Sequence, residues 1–237
     1  MQAPETVPSV EVLSLTKIYR QGDHEVKALD DLSLSIYPGE FTAICGPSGS
    51  GKTTLLNLMG ALDKPTSGEV SVGGQSLAEL SRRQLSHLRR DRIGFVFQAY
   101  NLIPVLTAYE NAEMVLRLQG VDPKERSERV MGILADVGLE GLEGRRPDQL
   151  SGGQQQRVAI ARAIASNPAV VLADEPTANV DSETANRLLE IMENLNRDRG
   201  ETFIFSTHDP RVLERAKRII RIVDGRVDDD QAPSASS

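Results

Sequence analysis

The sequence predicts an α/β protein with a largely parallel core sheet, and three observations lead to this prediction. Strand-like and helix-like segments alternate along most of the chain, as they do when helices join parallel strands. A glycine-rich turn separates the apolar, strand-like residues 41–45 from the helix-like residues 53–62. Residues 170–173 are all apolar, which is typical of a short strand buried on both faces of a sheet.

The other elements follow from local patterns. Short apolar or alternating runs predict further strands over residues 11–15, 33–36, 69–72, 93–97, 202–206 and 218–223. Apolar residues at helical spacing predict amphipathic helices over residues 128–138 and 188–195, and a run of small residues predicts a helix over 158–165. Residues 101–149 show helical patterning without clear strands, so we expect a helical subdomain inserted into the sheet domain.

Length and composition bound the organisation of the chain. The 237 residues suffice for one large domain with an inserted subdomain, which we place at residues 10–227. We expect residues 1–9, which are polar and hold two prolines, to be a flexible tail, and the acidic residues 228–237 to be a disordered tail. We expect neither a membrane span nor a signal peptide, because no run approaches roughly 18 apolar residues and the N-terminus lacks a basic region before an apolar core.

Charge and cysteine content narrow the class of function. With 27 basic and 34 acidic residues the net charge is −7, which argues against broad nucleic-acid binding. The arginines between residues 82 and 92 could form a nucleic-acid patch, but Glu79 and Asp91 interrupt them, and a solvated helix face explains them better. Cys45 is the only cysteine, so no intrachain disulfide forms, which suits a reducing compartment, and we expect this side chain to be buried.

A phosphate-binding loop is the first functional motif. It fits the pattern G-x-x-x-x-G-K-[ST] between an apolar strand and a helix, which is the context that the motif requires. Its residues are Gly46, Pro47, Ser48, Gly49, Ser50, Gly51, Lys52 and Thr53, followed by Thr54. Glycines allow backbone N–H groups to face a phosphate chain at the helix N-terminus. Lys52 can then reach the β- and γ-phosphates, and the Thr53 hydroxyl can ligate Mg²⁺. A chance glycine-rich turn is the alternative.

Two carboxylates follow the apolar run at residues 170–173. Asp174 and Glu175 would lie at the carboxyl end of a buried strand, where open α/β sheets bind their ligands. Asp174 is suited to hold Mg²⁺, and Glu175 to orient and deprotonate an attacking water. An acidic turn after a strand is the alternative, but the phosphate loop in the same chain favours the catalytic interpretation.

A second turn able to face phosphate lies further along the chain. Residues 150–154, LSGGQ, precede a small-residue helix and would place backbone N–H groups at its N-terminus. One nucleotide has no evident need of two such turns from one chain. The sequence LSGGQ, followed by VVLADEP, resembles the signature of ATP-binding-cassette (ABC) proteins, and the likeness extends from about Tyr19 to Gly225.

This resemblance implies a P-loop NTPase of the ABC ATPase type, with a mixed core sheet, an inserted helical subdomain and an N-terminal antiparallel β region. It implies that the chain hydrolyses ATP with Mg²⁺ as cofactor. Tyr19 matches the aromatic residue that stacks on adenine, with an ordinary strand-end tyrosine as the alternative. Gln98 matches the glutamine that touches Mg²⁺ and water, and His208 matches the switch histidine at the γ-phosphate. Residues that would act across a dimer are Ser151, Gly152, Gly153, Gln154 and Asp181.

Longer stretches resemble ATPases of the macrolide-efflux and lipoprotein-release type: GPSGSGKTTLLNLMGALDKPTSGEV, IGFVFQAYNLIP and QLSGGQQQRVAIARAI. That resemblance implies a homodimer on the cytoplasmic face of the cell membrane. It would drive a permease, expected to be a separate polypeptide with a large extracytoplasmic domain, that exports or extracts a lipophilic substrate, drug or lipoprotein. The chain departs from the pattern in TANVD, which keeps Asp181, and in LTAYEN, where Tyr109 adds an aromatic residue at an expected partner-facing surface.

The sequence also bears on related classes of ATPase. A DNA-repair or chromosome ATPase would carry a long coiled-coil insertion, and no sustained heptad run occurs. A translation-type relative would need two cassettes. A non-transporting regulator of cell-wall hydrolases uses the same motor and stays open as an alternative. We expect the permease to dock on residues 98–111, where four apolar residues look exposed, with packing inside the helical subdomain as the alternative. These are Tyr100, Leu102, Leu106 and Tyr109.

Overall fold

The computed structural model describes residues 6–22 and 24–231, which form two sheets with helices on and between them. Within these residues the strands are β1 (Val10–Gln21), β2 (His24–Ile36), β3 (Phe41–Cys45), β4 (Ser67–Val72), β5 (Gln75–Ser76), β6 (Ile93–Phe97), β7 (Val170–Asp174), β8 (Phe203–Ser206), β9 (Arg218–Val223) and β10 (Arg226–Gln231). The helices are α1 (Lys52–Met59), α2 (Arg82–Arg92), α3 (Ala108–Gln119), α4 (Pro123–Asp136), α5 (Gly152–Ile164), α6 (Ser182–Arg199) and α7 (Pro210–Arg215).

The larger sheet has the strand order β10-β9-β3-β8-β7-β6. Five of its strands run parallel, from β9 to β6, and β10 pairs antiparallel with β9. Every residue of β3 and of β8 is buried, as expected of strands that are covered on both faces. The carboxyl ends of β3, β8, β7 and β6 therefore meet at one edge of the sheet.

Helix α1 lies between the larger sheet and the smaller antiparallel sheet, whose order is β2-β1-β4-β5. Leu55 and Leu58 of α1 belong to one buried apolar cluster with Leu29 of β2 and with Ile44 and Leu172 of the larger sheet. A second cluster covers the other face of the larger sheet, beneath α3, α4, α5 and α6. The predicted mixed architecture, with an antiparallel region near the N-terminus, is confirmed.

Residues 101–149 hold α3, α4 and a short 3-10 helix (Pro147–Gln149). Helix α3 begins with a capping box, because Thr107 Oγ1 accepts from the N–H of Glu110 while the Glu110 carboxylate accepts from the N–H of Thr107. It ends at Gly120, whose φ of 76° is left-handed. In the part of the chain that the structure describes, no helix combines the length and the apolar character needed to cross a bilayer.

The four apolar residues that look exposed in the sequence are half-buried, so that expectation was wrong. Leu102 and Tyr109 pack against the apolar cluster beneath the helices, as the packing alternative predicted. Among the described residues of 101–149, the exposed large apolar residues are Val105, Leu118 and Met131, at 71%, 63% and 43% exposure.

The predicted tails lie only partly within the described residues. Residues 1–5 and 232–237 lie outside them. The expectation of disorder was wrong for residues 228–231, which belong to β10. This strand is an edge strand with mostly exposed side chains, and Arg218 of β9 forms an ion pair with Asp230 at 2.7 Å. An acidic segment can join a sheet under these conditions, because its carboxylates stay in water or meet a cation.

Candidate active site

The phosphate loop joins β3 to α1, and its course requires glycine. Gly46, Gly49 and Gly51 have φ values of 150°, 80° and 103°. A Cβ atom would lie 2.0 Å from the Ile222 carbonyl oxygen if placed at Gly46, and 2.4 Å from that of Ala28 if placed at Gly51. The loop opens onto a cavity of about 700 Å³, within the range of small-molecule sites. Other lining residues are Val26, Lys27, Ala28, Thr53, Thr54, Gln98, Glu175, Ser206 and His208.

Polar groups of the loop are arranged for an anion. The Lys52 Nζ donates to the carbonyl oxygens of Gly46 at 2.8 Å and Pro47 at 3.0 Å, so the ammonium group lies against the loop. The Ser50 hydroxyl is buried and, among the described residues, has no hydrogen-bond partner. A buried hydroxyl without a partner is costly, which fits a site that receives a further polar group. The loop thus has the donors that a phosphate chain needs.

Asp174 ends β7 at the same edge of the sheet, and it is half-buried beside Ser206 of β8. Burial raises the pKa of the Asp174 carboxyl above its ordinary value. The hydrogen bond from Ser206 and the charge of Lys52 lower this pKa, whereas the neighbouring charge of Glu175 raises it. A cation beside Asp174 would stabilise the ionised form against this desolvation.

Glu175 follows with a left-handed φ of 46°, which is uncommon for a residue other than glycine. Its Oε1 lies 2.6 Å from Nδ1 of His208, and its Oε2 accepts a hydrogen bond from the Thr207 hydroxyl at 2.9 Å. The Glu175 side chain is 19% exposed and that of His208 is 80% exposed. Strained backbone of this kind occurs at functional sites, where surrounding contacts hold it in place. Two of those contacts come from the segment after β8.

Gln98 follows β6, lines the cavity and is exposed. Its Nε2 donates to Oδ1 of Asn179 at 3.3 Å, and Nδ2 of Asn179 donates to the Gln98 carbonyl oxygen at 2.9 Å. The buried Gln156 of α5 adds a link, because its Nε2 donates to the carbonyl oxygens of Pro176 at 2.7 Å and Phe97 at 3.4 Å. The loops after β6 and β7 are therefore held together on α5.

Tyr19 lies on the smaller sheet near the cavity. It is directly opposite Val26, which lines the cavity, and directly opposed residues of an antiparallel pair point to one face of the sheet. Tyr19 is 36% exposed as a residue, and its hydroxyl donates to Asp63 at 3.0 Å. The Lys17 ammonium lies 4.8 Å from the ring centroid, as in a cation–π contact. The ring is thus held at one edge and covered on one face.

The LSGGQ turn lies elsewhere. Ser151 caps α5 through a bond from the N–H of Gln154 at 3.3 Å, and Asp181 caps α6 through bonds from the N–H groups of residues 183 and 184. Hydrogen bonds from Thr184 lower the pKa of the Asp181 carboxyl. A Cβ atom at Gly153 would lie 2.3 Å from the Thr184 methyl group, so the two helix starts are neighbours. Within the described chain, neither they nor residues 152–154 line the phosphate cavity.

Sequence patterns missed several residues that hold the site together. Asn179, Thr207, Gln156 and Arg162 each bond to one of the loops around the cavity. Gln156 alone carried a usable signal, since a buried glutamine on a helix rich in small apolar residues needs partners.

Comparison with known proteins identifies the family. A sequence model of the family described as "ABC transporter" matches residues 29–178. A macrolide export ATP-binding/permease protein of Hyphomonas neptunium is 48% identical over 225 residues, which is 95% of this chain but 35% of that protein. An uncharacterised ABC transporter ATP-binding protein of Thermotoga maritima is 46% identical over 92% of this chain and 93% of its own length. The chain therefore spans about a third of the macrolide exporter and nearly all of the other relative.

A solved structure agrees with the sequence comparison. The dimeric ATP-binding cassette MJ0796, in a post-hydrolysis state bound to ADP and phosphate, superposes with a TM-score of 0.86 at 44% identity. The alignment covers 95% of this chain and 99% of that one. The protein MJ0796 comes from Methanocaldococcus jannaschii. The chain belongs to the ABC transporter family and is an ATPase of the ABC type.

Proposed function

We propose that this chain is the ATP-binding and ATP-hydrolysing subunit of an ABC transporter, and that it works as a homodimer beneath a membrane permease. The observation that carries the proposal is the meeting of three groups around one cavity. These are the phosphate loop with Lys52, the carboxylate of Glu175 and the exposed His208, and Asp174 adjoins Glu175 at the same edge of the sheet. A nucleoside triphosphate needs this combination of an anion cradle, a metal-holding carboxylate and a base.

Mg²⁺ fits the oxygen donors at the edge of the sheet. The Asp174 carboxylate, the Thr53 hydroxyl and the Gln98 amide oxygen are the donor types that this hard cation prefers. When bound, Mg²⁺ neutralises charge that develops on the β- and γ-phosphates. The Lys52 ammonium exchanges its bonds to the loop carbonyls for stronger, charge-assisted bonds to phosphate oxygens.

Glu175 is the proposed general base. Its carboxylate is mostly buried and is held by Thr207 and His208, so it is oriented before substrate arrives. His208 is exposed enough to turn from Glu175 toward the γ-phosphate. Lys17 lies over one face of the Tyr19 ring, and in this proposal an adenine base stacks on the other face.

A second copy of the chain completes the site in this proposal. The Ser151 turn has N–H groups and a positive helix end suited to phosphate, yet it lies away from its own cavity. A two-fold dimer would bring this turn, together with Asp181, to the nucleotide of the other subunit. The dimeric structural relatives support this arrangement.

The macrolide exporters among the relatives support a transport role. We propose that the permease is of the macrolide-efflux or lipoprotein-release type, has a large extracytoplasmic domain, and exports or extracts a lipophilic substrate, drug or lipoprotein. The ATPase would then lie peripherally on the cytoplasmic face of the cell membrane. ATP-driven closure of the dimer would push on permease helices.

The experiment that tests this function is Glu175→Gln. The substitution keeps the size and hydrogen-bonding reach of the side chain but removes its basicity. We expect MgATP binding, measured by nucleotide titration, to stay near wild type, while phosphate release slows by about 10²–10⁴-fold. Glu128→Gln, at an exposed position of α4, is the matched control and should leave both quantities unchanged. Near-normal turnover by Glu175→Gln would exclude the assigned role.

A further inference from the structure

The loop after β6 has an unusual backbone just beyond Gln98. Tyr100 and Asn101 have φ values of 58° and 51°, both left-handed, which cost on the order of 1 kcal/mol each in residues other than glycine. Two consecutive residues in this conformation persist only where neighbouring groups hold them. The turn that they form begins two residues beyond Gln98, which itself directly follows β6.

Arg162 of α5 stabilises this turn with two hydrogen bonds. Its Nη2 donates to the Tyr100 carbonyl oxygen at 3.0 Å, and its Nη1 donates to the Asn101 carbonyl oxygen at 2.6 Å. Both strained residues are therefore bonded to one planar, bidentate group, a geometry that lysine cannot reproduce. Burial lowers the pKa of the Arg162 guanidinium, and within the described chain it forms no ion pair with a carboxylate. Loss of the two carbonyl partners would leave a half-buried charge without compensation, so the guanidinium and the turn stabilise each other.

The Tyr100 hydroxyl links the same turn to two other parts of the site. It donates to the Asn179 carbonyl oxygen at 3.2 Å, beside the reciprocal bonds between Asn179 and Gln98. A Cβ atom at Gly152 would lie 2.8 Å from this hydroxyl, so it also contacts the first turn of α5. One side chain thus touches the Gln98 loop, the loop between Glu175 and Asp181, and the turn that begins with Ser151.

We infer, on the basis of the proposed function, that Arg162 and the Tyr100 hydroxyl are positioning residues. They make the position of the Gln98 side chain depend on the position of helix α5. The first turn of α5 faces the partner's nucleotide in the proposed dimer. A shift of α5 on binding that nucleotide moves Arg162, and with it Tyr100 and Gln98 at the chain's own cavity. The two ATP sites of the dimer are coupled by this route, and neither residue touches substrate itself.

Tyr100→Phe tests the inference, because it removes the hydroxyl and keeps the ring. We expect kcat to fall about 3- to 10-fold, the loss of one positioning hydrogen bond, with KM within about twofold. The Hill coefficient for ATP should fall toward 1. Tyr109→Phe is the matched control, since its hydroxyl bonds only to Glu113 of α3 among the described residues, and it should keep wild-type kcat and cooperativity.

A double-mutant cycle distinguishes positioning from general stability. In a Gln98→Ala background, Tyr100→Phe should cause no further loss of kcat, because the group that it positions is gone. Arg162→Lys should lower kcat and the Hill coefficient in the same direction as Tyr100→Phe, with equal nucleotide affinity of the monomer. Wild-type kcat and Hill coefficient in Tyr100→Phe, or losses that add independently to that of Gln98→Ala, overturn the inference. Glu175→Gln tests ATP hydrolysis separately. A failure of this inference can therefore be told apart from a failure of the proposed function.

Discussion

At the scale of the residue, Glu201 carries a buried carboxyl far from the catalytic edge. It stands between α6 and β8, at the amino end of β8, and is 7% exposed. Burial raises the pKa of its carboxyl from 4.5 to about 7, against the opposing charges of Arg199 and Arg129. Between these two pH values the folded state binds a proton that the unfolded state has released. Stability therefore falls as pH rises through this window, and the destabilisation is complete above about pH 7.

Glu201→Gln should remove this dependence. We expect the variant to be more stable than wild type by on the order of 1–3 kcal/mol at pH 8, and by much less at pH 5. Urea denaturation at the two pH values measures the difference. Glu190→Gln, exposed on α6, is the control and should show no pH-dependent gain. An equal gain of Glu201→Gln at both pH values would show that its carboxyl titrates as in the unfolded chain.

The residues around the cavity divide into those that a local pattern predicts and those that it does not. Lys52 and Asp174 were predicted, because each stands at a fixed offset from a strand that its own sequence specifies. The contacts of Glu175 with Thr207 and His208 were not, since they join the ends of two strands about thirty residues apart in sequence. The left-handed φ values of Tyr100 and Asn101 could not be predicted from the sequence either, because Arg162, rather than a local conformational preference, stabilises them.

At the scale of the element, we propose that the groove between β6, α3 and α5 is the surface on which the proposed permease docks. It has a volume of about 340 Å³ and is lined by apolar side chains that include Phe95, Met114 and Leu118, and by Arg162. Leu118 is 63% exposed, which is unusual for a leucine beside other apolar groups. An amphipathic cytoplasmic helix of the permease fits such a groove.

Leu118→Glu should therefore break coupling without harming the enzyme. The position is exposed, so we expect ATP hydrolysis by the isolated protein to stay within about twofold of wild type. A charge at the centre of an apolar interface should weaken permease binding by about 10- to 100-fold, seen as loss of co-purification from membranes. Met131→Glu, at a 43% exposed position of α4, is the control. Co-purification that is equal for both variants would place the docking surface elsewhere.

The order of elements was largely predictable, because core strands carry their own signal. β3 and β6 have the predicted bounds, and β7 extends one residue further, because a buried strand appears in the sequence as a short, mostly apolar run. β10 was missed because its acidic composition resembles a tail, and only its pairing with β9 makes it a strand. Helix α2 was predicted only as a solvated helix face. Its two buried leucines, among several arginines, give too weak a helical periodicity for a firm helix prediction.

At the scale of the whole molecule, a single chain holds the parts of the proposed site at two separate places. The phosphate loop and Glu175 line the cavity, with Asp174 next to Glu175, whereas the Ser151 turn and Asp181 start two neighbouring helices outside it. Two copies related by a two-fold axis would form two equivalent composite sites, each with the loop of one chain and the Ser151 turn of the other. The links through Arg162 and Gln156 then connect the two sites within each chain.

This arrangement predicts that two inactive variants complement each other. Lys52→Ala damages the phosphate loop and Ser151→Arg blocks the turn, so each homodimer should hydrolyse ATP at a few per cent of the wild-type rate or less. A mixed dimer has one site with both defects and one with neither. In an equal mixture half of the dimers are mixed, so activity should recover to at most about a quarter of wild type. Phosphate release at constant total protein measures this recovery, and Lys52→Ala mixed with itself at the same concentration is the control. Because Ser151→Arg leaves the phosphate loop intact, its monomer should still bind nucleotide, which shows that the variant is folded. A mixture no more active than either variant alone would contradict a shared site, as would full activity of a strictly monomeric wild type.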